Sequence, residues 1–167
     1  MSFYIISNGN LTEMSFDYLS KESGSRLEGT LGGNREVSIK RKSAGVTYAI
    51  EIMSSPVVSL EIGSTAKEAL KSLVDHSIHH IVLVKGDKVR GLISDRDLSW
   101  LKKLKIDELA CVSQFMSTMI LACDEETPLD HLAKVMVKEH VSALPIVNKN
   151  LELTGIVTHH DILKWLF

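Results

Sequence analysis

Apolar residues follow two rhythms along this chain, and the order in which the rhythms alternate occurs twice. Ala66, Ala69, Leu70, Leu73 and Val74 recur at helical spacing, which predicts a helix with one buried stripe. Ser64 or Thr65 is placed to cap it, with Glu68 in the first turn. Ile81-Val82-Leu83-Val84 is apolar at every position and predicts a strand covered on both faces. Lys85-Gly86-Asp87-Lys88 is a hairpin turn, Val89 to Ile93 pairs back, and Ser94 opens a closing helix. Upstream, Ile50, Ile52 and Met53 predict a short helix leading to Pro56, and Val57-Val58-Ser59-Leu60 a strand. The unit is helix, strand, helix, strand, strand, helix.

The same order returns downstream. Ile106, Leu109, Val112, Phe115 and Met116 predict the leading helix, and Met119-Ile120-Leu121-Ala122 the first strand. Thr127-Pro128-Leu129-Asp130 is a helix start, with Thr as cap, Pro at the first position and an acid in the first turn. Leu132, Val135 and Met136 continue that helix, with Glu139 off its stripe. Leu144-Pro145-Ile146-Val147 is a strand, Asn148-Lys149-Asn150 a turn, and Leu151 to Val157 a strand. Thr158 opens the last helix.

Residues 1–48 lie outside the repeat. Phe3-Tyr4-Ile5-Ile6 predicts a short strand ended by the turn signal Asn8-Gly9-Asn10. Gly24, Gly29, Gly32 and Gly33 break the rest into short pieces. Phe3, Tyr4, Phe16, Tyr18 and Tyr48 all fall here, and disordered tails are poor in aromatic residues. Part of this extension is therefore expected to pack, on the repeat body or on a second chain. Lys40-Arg41-Lys42 reads as a solvated charge run rather than a phosphate contact.

Composition narrows the function classes. The 167 residues hold 19 Lys and Arg against 21 Asp and Glu, a net charge of −2, so no global basic field recruits nucleic acid or an acidic membrane. No apolar run approaches the roughly 20 residues of a membrane span, and the first residues do not read as a secretory signal. Cys111 and Cys123 sit in apolar settings without metal-ligand spacing, which reads as two reduced thiols of a cytoplasmic protein. No His pair has zinc spacing on one element, so no metal is expected; His76, His131 and His140 read as solvated or packed.

The chemistry concentrates in one motif. Gly91-Leu92-Ile93-Ser94-Asp95-Arg96-Asp97 returns, 64 positions on, as Gly155-Ile156-Val157-Thr158-His159-His160-Asp161. A repeat at that spacing means two copies of one unit. Each copy of about 55 to 60 residues is marginal alone, and two packed sheet to sheet solve that problem.

These pieces resemble CBS domains, the cystathionine-β-synthase motif found in tandem pairs. The matching residues in the first copy are Met53 to Val58, Glu68-Ala69-Leu70, the strand after His79-His80, and Gly91 to Leu98. In the second they are Phe115-Met116, Leu129 to Leu132, Leu144 to Val147, and Gly155 to Leu163. The resemblance covers about residues 49–167 and divides the chain into an extension (1–48), a first repeat (49–104) and a second repeat (105–167). It implies an α/β fold of two repeats packed as a pseudo-twofold pair, with two clefts between them. It further implies a regulatory rather than catalytic role, a homodimer, and AMP, ADP, ATP or S-adenosylmethionine as the ligand, with no cofactor required.

The residues support such a site independently of the name. A strand ending in Ser94 or Thr158 and turning into a helix gathers a hydroxyl and free backbone N–H groups at one point. Asp97 or Asp161, three residues on, can accept two hydrogen bonds from vicinal ribose hydroxyls. The same spacing is also a capping box that needs no ligand. Phosphate needs cations; Arg96, His159 and His160 lie in the motif loops. His79 and His80 precede the second strand, where the resemblance implies a cation facing phosphates. Neighbouring strand residues point to opposite faces, so one of these two reaches the cleft. Ser142 and Ala143 stand there in the second copy. Val57, Ser59, Ile120 and Ala122 are placed to hold the base, and each also fits plain core.

Two functions remain in contention. One is a sensor in which an adenosyl ligand shifts the arrangement of the copies and signals to a separate effector protein. The other is a ligand-independent dimerisation or interaction module, its clefts filled by side chains or by the N-terminal segment. An enzyme fits poorly, because no nucleophile, base and acid assemble by spacing and no phosphate-binding GxxxxGK[ST] loop is present.

Overall fold

The computed structural model describes residues 2–7, 9–20, 45–104, 107–150 and 152–167; Gly24, Gly29, Gly32, Gly33 and Lys40-Arg41-Lys42 lie outside them. Strand β1 (Phe3–Ser7) turns through Gly9 into β2 (Asn10–Met14), and one helical turn, α1 (Asp17–Ser20), follows. Gly9 has φ +80°, a conformation that glycine reaches without steric cost. The first repeat runs α2 (Ala49–Ile52), β3 (Ser59–Glu61), α3 (Ala66–Asp75), β4 (His80–Lys85), β5 (Lys88–Ser94) and α4 (Asp95–Leu104). The second opens on a 3₁₀ turn (Val112–Gln114) and continues β6 (Met119–Cys123), α5 (Leu129–Lys138), β7 (Ala143–Val147), β8 (Leu153–Thr158) and α6 (His159–Leu166).

Local chemistry explains both the agreements and the corrections. Thr65 caps α3: its hydroxyl accepts from Glu68 N, and the Glu68 carboxylate accepts from Thr65 N at 2.7 Å. Ala66, Ala69 and Leu73 are buried along α3, but Val74 is 76% exposed, so it leaves the expected stripe. It falls about 100° round the helix from Leu73, past the buried arc. The expected leading helix of the second repeat is a single 3₁₀ turn. Asp107 Oδ1 accepts from Leu109 N, a local bond that competes with helix, and Leu109 is 68% exposed; Ile106 lies outside the described residues. Thr127 does not cap α5. Its buried hydroxyl donates to Asp124 Oδ1 at 2.8 Å, and Pro128 takes the cap position. Val57 and Val58 precede β3 rather than belong to it, because Ser54 is drawn away to pair with Ile156 of the second repeat.

The strands form two sheets. In one, β3 runs parallel to β4 and β5 pairs back antiparallel. The other has the order β2-β1-β6-β7-β8, so the N-terminal hairpin extends the second repeat by pairing antiparallel with β6. Ile6, Val82, Val84, Val89, Ile120, Ala122, Ala143, Val147 and Ile156 make the core between the sheets. The helices cover the outer faces. Phe3, Leu132, Val135, Met136, Leu144 and Ile146 pack under one layer, and Ala69, Leu73, Ile81, Leu83, Ile93 and Leu98 under the other. The described part of the extension, through Ser20, therefore packs on the repeat body, one of the two expected places.

Each outer core borrows its last piece from the other repeat. Ala49 of α2 is buried among second-repeat residues and donates from its N–H to Thr127 O at 2.8 Å. Val112 is buried among first-repeat residues and donates to Ser64 O at 2.8 Å. Ser54 and Ile156 exchange backbone hydrogen bonds, as do Ser117 and Leu92. The motif glycines make this exchange sterically feasible. A Cβ on Gly155 would lie 2.9 Å from Met53 Cγ, and one on Gly91 would lie 2.9 Å from Met116 Cγ.

Candidate functional site

The two crossings place equivalent residues at two clefts. At the first, Thr158 ends β8 and caps α6: Asp161 Oδ2 accepts from Thr158 N at 2.8 Å and from its hydroxyl at 2.7 Å. The cap uses one carboxylate oxygen. The other, Oδ1, accepts from Ser54 Oγ of the first repeat at 3.3 Å. Asp161 thus meets a hydroxyl of the opposite repeat with the oxygen that the cap leaves over. The first-repeat sheet also borders a cavity of about 240 Å³, lined by Ser55, Pro56, Val57, Ser59, Val84, Gly86, Asp87, Leu153 and Thr154; Ser55 follows Ser54 in the chain, and Thr154 precedes the motif glycine. That is a little below the roughly 300–1,000 Å³ of pockets for drug-sized ligands, so it suits one part of such a ligand. Val57 and Ser59 therefore line an open space.

The second cleft has the same cap but a different floor. Asp97 Oδ2 accepts from Ser94 N at 2.8 Å and from Ser94 Oγ at 2.7 Å. The counterparts of Val57 and Ser59 are Ile120 and Ala122, which are 6% and 0% exposed and lie beside strand β1, in register with Ile6 and Tyr4. These two expected base contacts are core.

His79, His80 and His159 lie close together at the seam between the repeats. His79 Nδ1 bonds Asp95 Oδ2 at 2.8 Å, and that hydrogen bond holds the Asp95 carboxyl below its ordinary range. His80 reaches across to Ser142, Nε2 to Oγ at 2.8 Å. Burial pushes the His80 imidazole down; His79 and His159 push the same way, and Asp95 and Asp97 oppose them. His80 is therefore a neutral hydrogen-bonding group at neutral pH rather than a cation for phosphate. Arg96, His159 and His160 are exposed at the helix starts. Among the described residues, neither Lys nor Arg lines the cavity, and Asp87 gives it one acidic group.

Ser54, Ser55, Asp87 and Thr154 join the site without having been singled out from the sequence. A signal for the first two was present: Met53-Ser54-Ser55 recurs as Met116-Ser117-Thr118, a Met followed by two hydroxyl residues in both copies. Among the described residues no cluster of three His, Cys, Asp or Glu side chains is arranged to hold a metal, and no helix is long and apolar enough to cross a membrane.

Comparison with known proteins agrees with this geometry. The CBS domain family model matches residues 49–100 and 112–167. A CBS domain-containing protein of Dictyostelium discoideum is 30% identical over 131 residues, covering 70% of this chain and 88% of that protein. The L-aspartate semialdehyde sulfurtransferase of Methanocaldococcus jannaschii is 28% identical over 124 residues, 74% of this chain but 24% of the enzyme. This chain thus spans about a quarter of that relative, and 23% of a Methanohalobium evestigatum homoserine O-acetyltransferase to which it is 30% identical. Among solved structures, the CBS domain pair of protein MJ0100 in complex with 5′-methylthioadenosine and S-adenosyl-L-methionine superposes with TM-score 0.67 at 27% identity, covering 72% of this chain and 96% of that one. A CBS domain protein of Pyrobaculum aerophilum complexed with AMP gives TM-score 0.66 at 22% identity, covering 72% and 98%.

Proposed function

Because this chain belongs to the CBS domain family, we propose that it is a regulatory module that binds an adenosine-containing ligand in the cleft at Asp161 and signals to a separate effector protein. The observation that carries this reading is the pairing of Asp161 with Ser54 of the opposite repeat, whose chain neighbour Ser55 lines the cavity together with Val57 and Ser59. A ribose diol would take the place of Ser54 on Asp161. The base would enter the cavity, where Ser55, Ser59 and Thr154 offer hydroxyls and Asp87 an acceptor for an exocyclic amine. Of the ligands the sequence suggests, S-adenosylmethionine and its thioether relatives are favoured. The MJ0100 pair, bound to two such compounds, supports that preference. A homodimer through the helical faces is part of the same reading.

Isothermal titration calorimetry of the full chain with S-adenosylmethionine, 5′-methylthioadenosine, AMP and ATP tests it. The expected result is saturable binding of an adenosyl thioether or sulfonium that Asp161→Ala abolishes while the protein stays folded. No heat from any of the four would refute the reading. ATP binding tighter than S-adenosylmethionine would refute that preference alone.

A further inference from the structure

The pair is pseudo-symmetric in sequence, yet its two clefts differ in what occupies them. The Ser54–Ile156 and Leu92–Ser117 bridges set the equivalence: Val57 and Ser59 correspond to Ile120 and Ala122, and Thr154 to Arg90, each preceding its motif glycine. On the first-repeat sheet β3 is the edge strand, and the cavity opens beside it. On the second-repeat sheet the equivalent edge, β6, carries β1, with Ile6 opposite Ile120 and Tyr4 opposite Ala122. Backbone groups of β6 that would read a base are engaged by a strand instead.

Side chains complete the substitution. Ile6 is 1% exposed in the core between the sheets, and Tyr4 and Leu11 pack against that core beside it. At the hairpin tip the Arg90 guanidinium lies on the face of Gly9, where a Cβ would stand. Arg90 Nε is buried without a hydrogen-bond partner among the described residues, and its guanidinium rests against the hairpin at Gly9. The hairpin is anchored away from the cleft as well. Phe3 is 2% exposed and meets Phe16 edge to face at 5.5 Å, and Asp124 N donates to Ser2 O.

We propose that the N-terminal hairpin is a built-in occupant of the Asp97 cleft, so that each chain takes one adenosyl ligand, at Asp161, and gains a second site only when the hairpin is displaced. The proposal rests on the adenosyl reading above and adds the asymmetry. It also joins the two functions the sequence left in contention, with one cleft a sensor and the other closed by the chain itself.

Calorimetric stoichiometry of the full chain with S-adenosylmethionine, read beside hydrogen exchange of the Met119–Cys123 amides, tests it. The wild type is expected to bind one ligand per chain and to protect these amides. Gly9→Val sets a branched side chain at positive φ against Arg90. It is expected to speed exchange in β6 and to raise the stoichiometry from one to two, the added site being lost in Gly9→Val/Asp97→Ala. Arg90→Thr, which installs the residue of the open cleft, serves if Gly9→Val does not fold. Two sites in the wild type would overturn the proposal and leave the adenosyl reading standing. So would faster β6 exchange with no second site. Silence from the wild type and both variants would overturn the adenosyl reading and this proposal with it.

Discussion

Gly155→Ala is the sharpest test of how the two repeats are joined. The added methyl would lie 2.9 Å from Met53 Cγ and 3.2 Å from Met53 Cβ, so Met53 must move. Overpacking of this kind costs about 1–3 kcal/mol. Replacing a strand glycine by alanine returns about 0.5–1 kcal/mol of backbone entropy. The net expectation is a loss of about 0.5–2 kcal/mol, or about 1–8 °C in Tm at the 2–4 °C per kcal/mol of a chain this size. Met53→Ala removes the obstructing Cγ and Sδ. In the double variant the two costs should therefore couple favourably by about 0.5–2 kcal/mol. Urea denaturation of the four proteins supplies the cycle. Gly91→Ala should cost more than Gly155→Ala, because its methyl also meets Ser117 O at 3.0 Å, a backbone atom held by the Leu92 N–H. Neutral or stabilising Gly155→Ala, or strict additivity with Met53→Ala, would refute the close approach. Met53 also precedes Ser54, so Gly155→Ala should weaken ligand binding at Asp161, and Met53→Ala should not restore the full affinity.

Two further outcomes follow from titrating groups. Burial holds the His80 imidazole below its ordinary 6.5, so as pH falls below 6.5 the unfolded chain takes up a proton that the folded chain resists. Stability contributed by neutral His80 is complete above 6.5 and is lost downward towards the folded value. Tm is expected to fall between pH 7.5 and 5.5, with a shallower slope in His80→Gln, which keeps a partner for Ser142; equal slopes would refute the assignment. Burial pushes the Cys123 thiol up, whereas the Ser113 hydrogen bond lowers that of half-exposed Cys111. Iodoacetamide at pH 8 is expected to label Cys111 in the native protein and Cys123 only in urea, and comparable native labelling of both would count against the buried setting.

Much of this architecture was written locally, and the parts that were not are long-range. The motifs at Gly91 and Gly155, the Thr65 cap and the strands at Ile81 and Leu144 depend on neighbours in sequence, so periodicity and capping rules reach them. The exchange of α2 and Val112 between repeats is invisible to such rules, because a helix-forming stripe does not say which copy it covers. The same limit hid the base-side difference: Val57 and Ile120 read alike until β1 is known to pair alongside one and not the other. Phe3 to Ile6 read as a strand, but its register on β6 is a pairing across more than a hundred residues. Val74 and Thr127 failed for a smaller reason, since a stripe has an edge and a hydroxyl has more than one acceptor within reach. Ser54 was quoted as part of a motif and not as a site residue, because its contact with Asp161 exists only once the repeats have crossed.

That crossing also sets an order in time. As the chain is synthesised, the first repeat has all its strands by Ser94, yet its outer core stays open until Val112 follows. The second repeat has the opposite deficit: its missing piece, Ala49, is made early and finds its neighbours only when Leu144 and Val157 exist. The first outer core can thus close by Met116, whereas the second outer core and the core between the sheets wait for Leu144 to Val157. Completion of the pair is expected to come late, at the slow rates that long-range pairings impose. Half-length fragments would show exposed apolar surface when made singly, and when made together would complete each other.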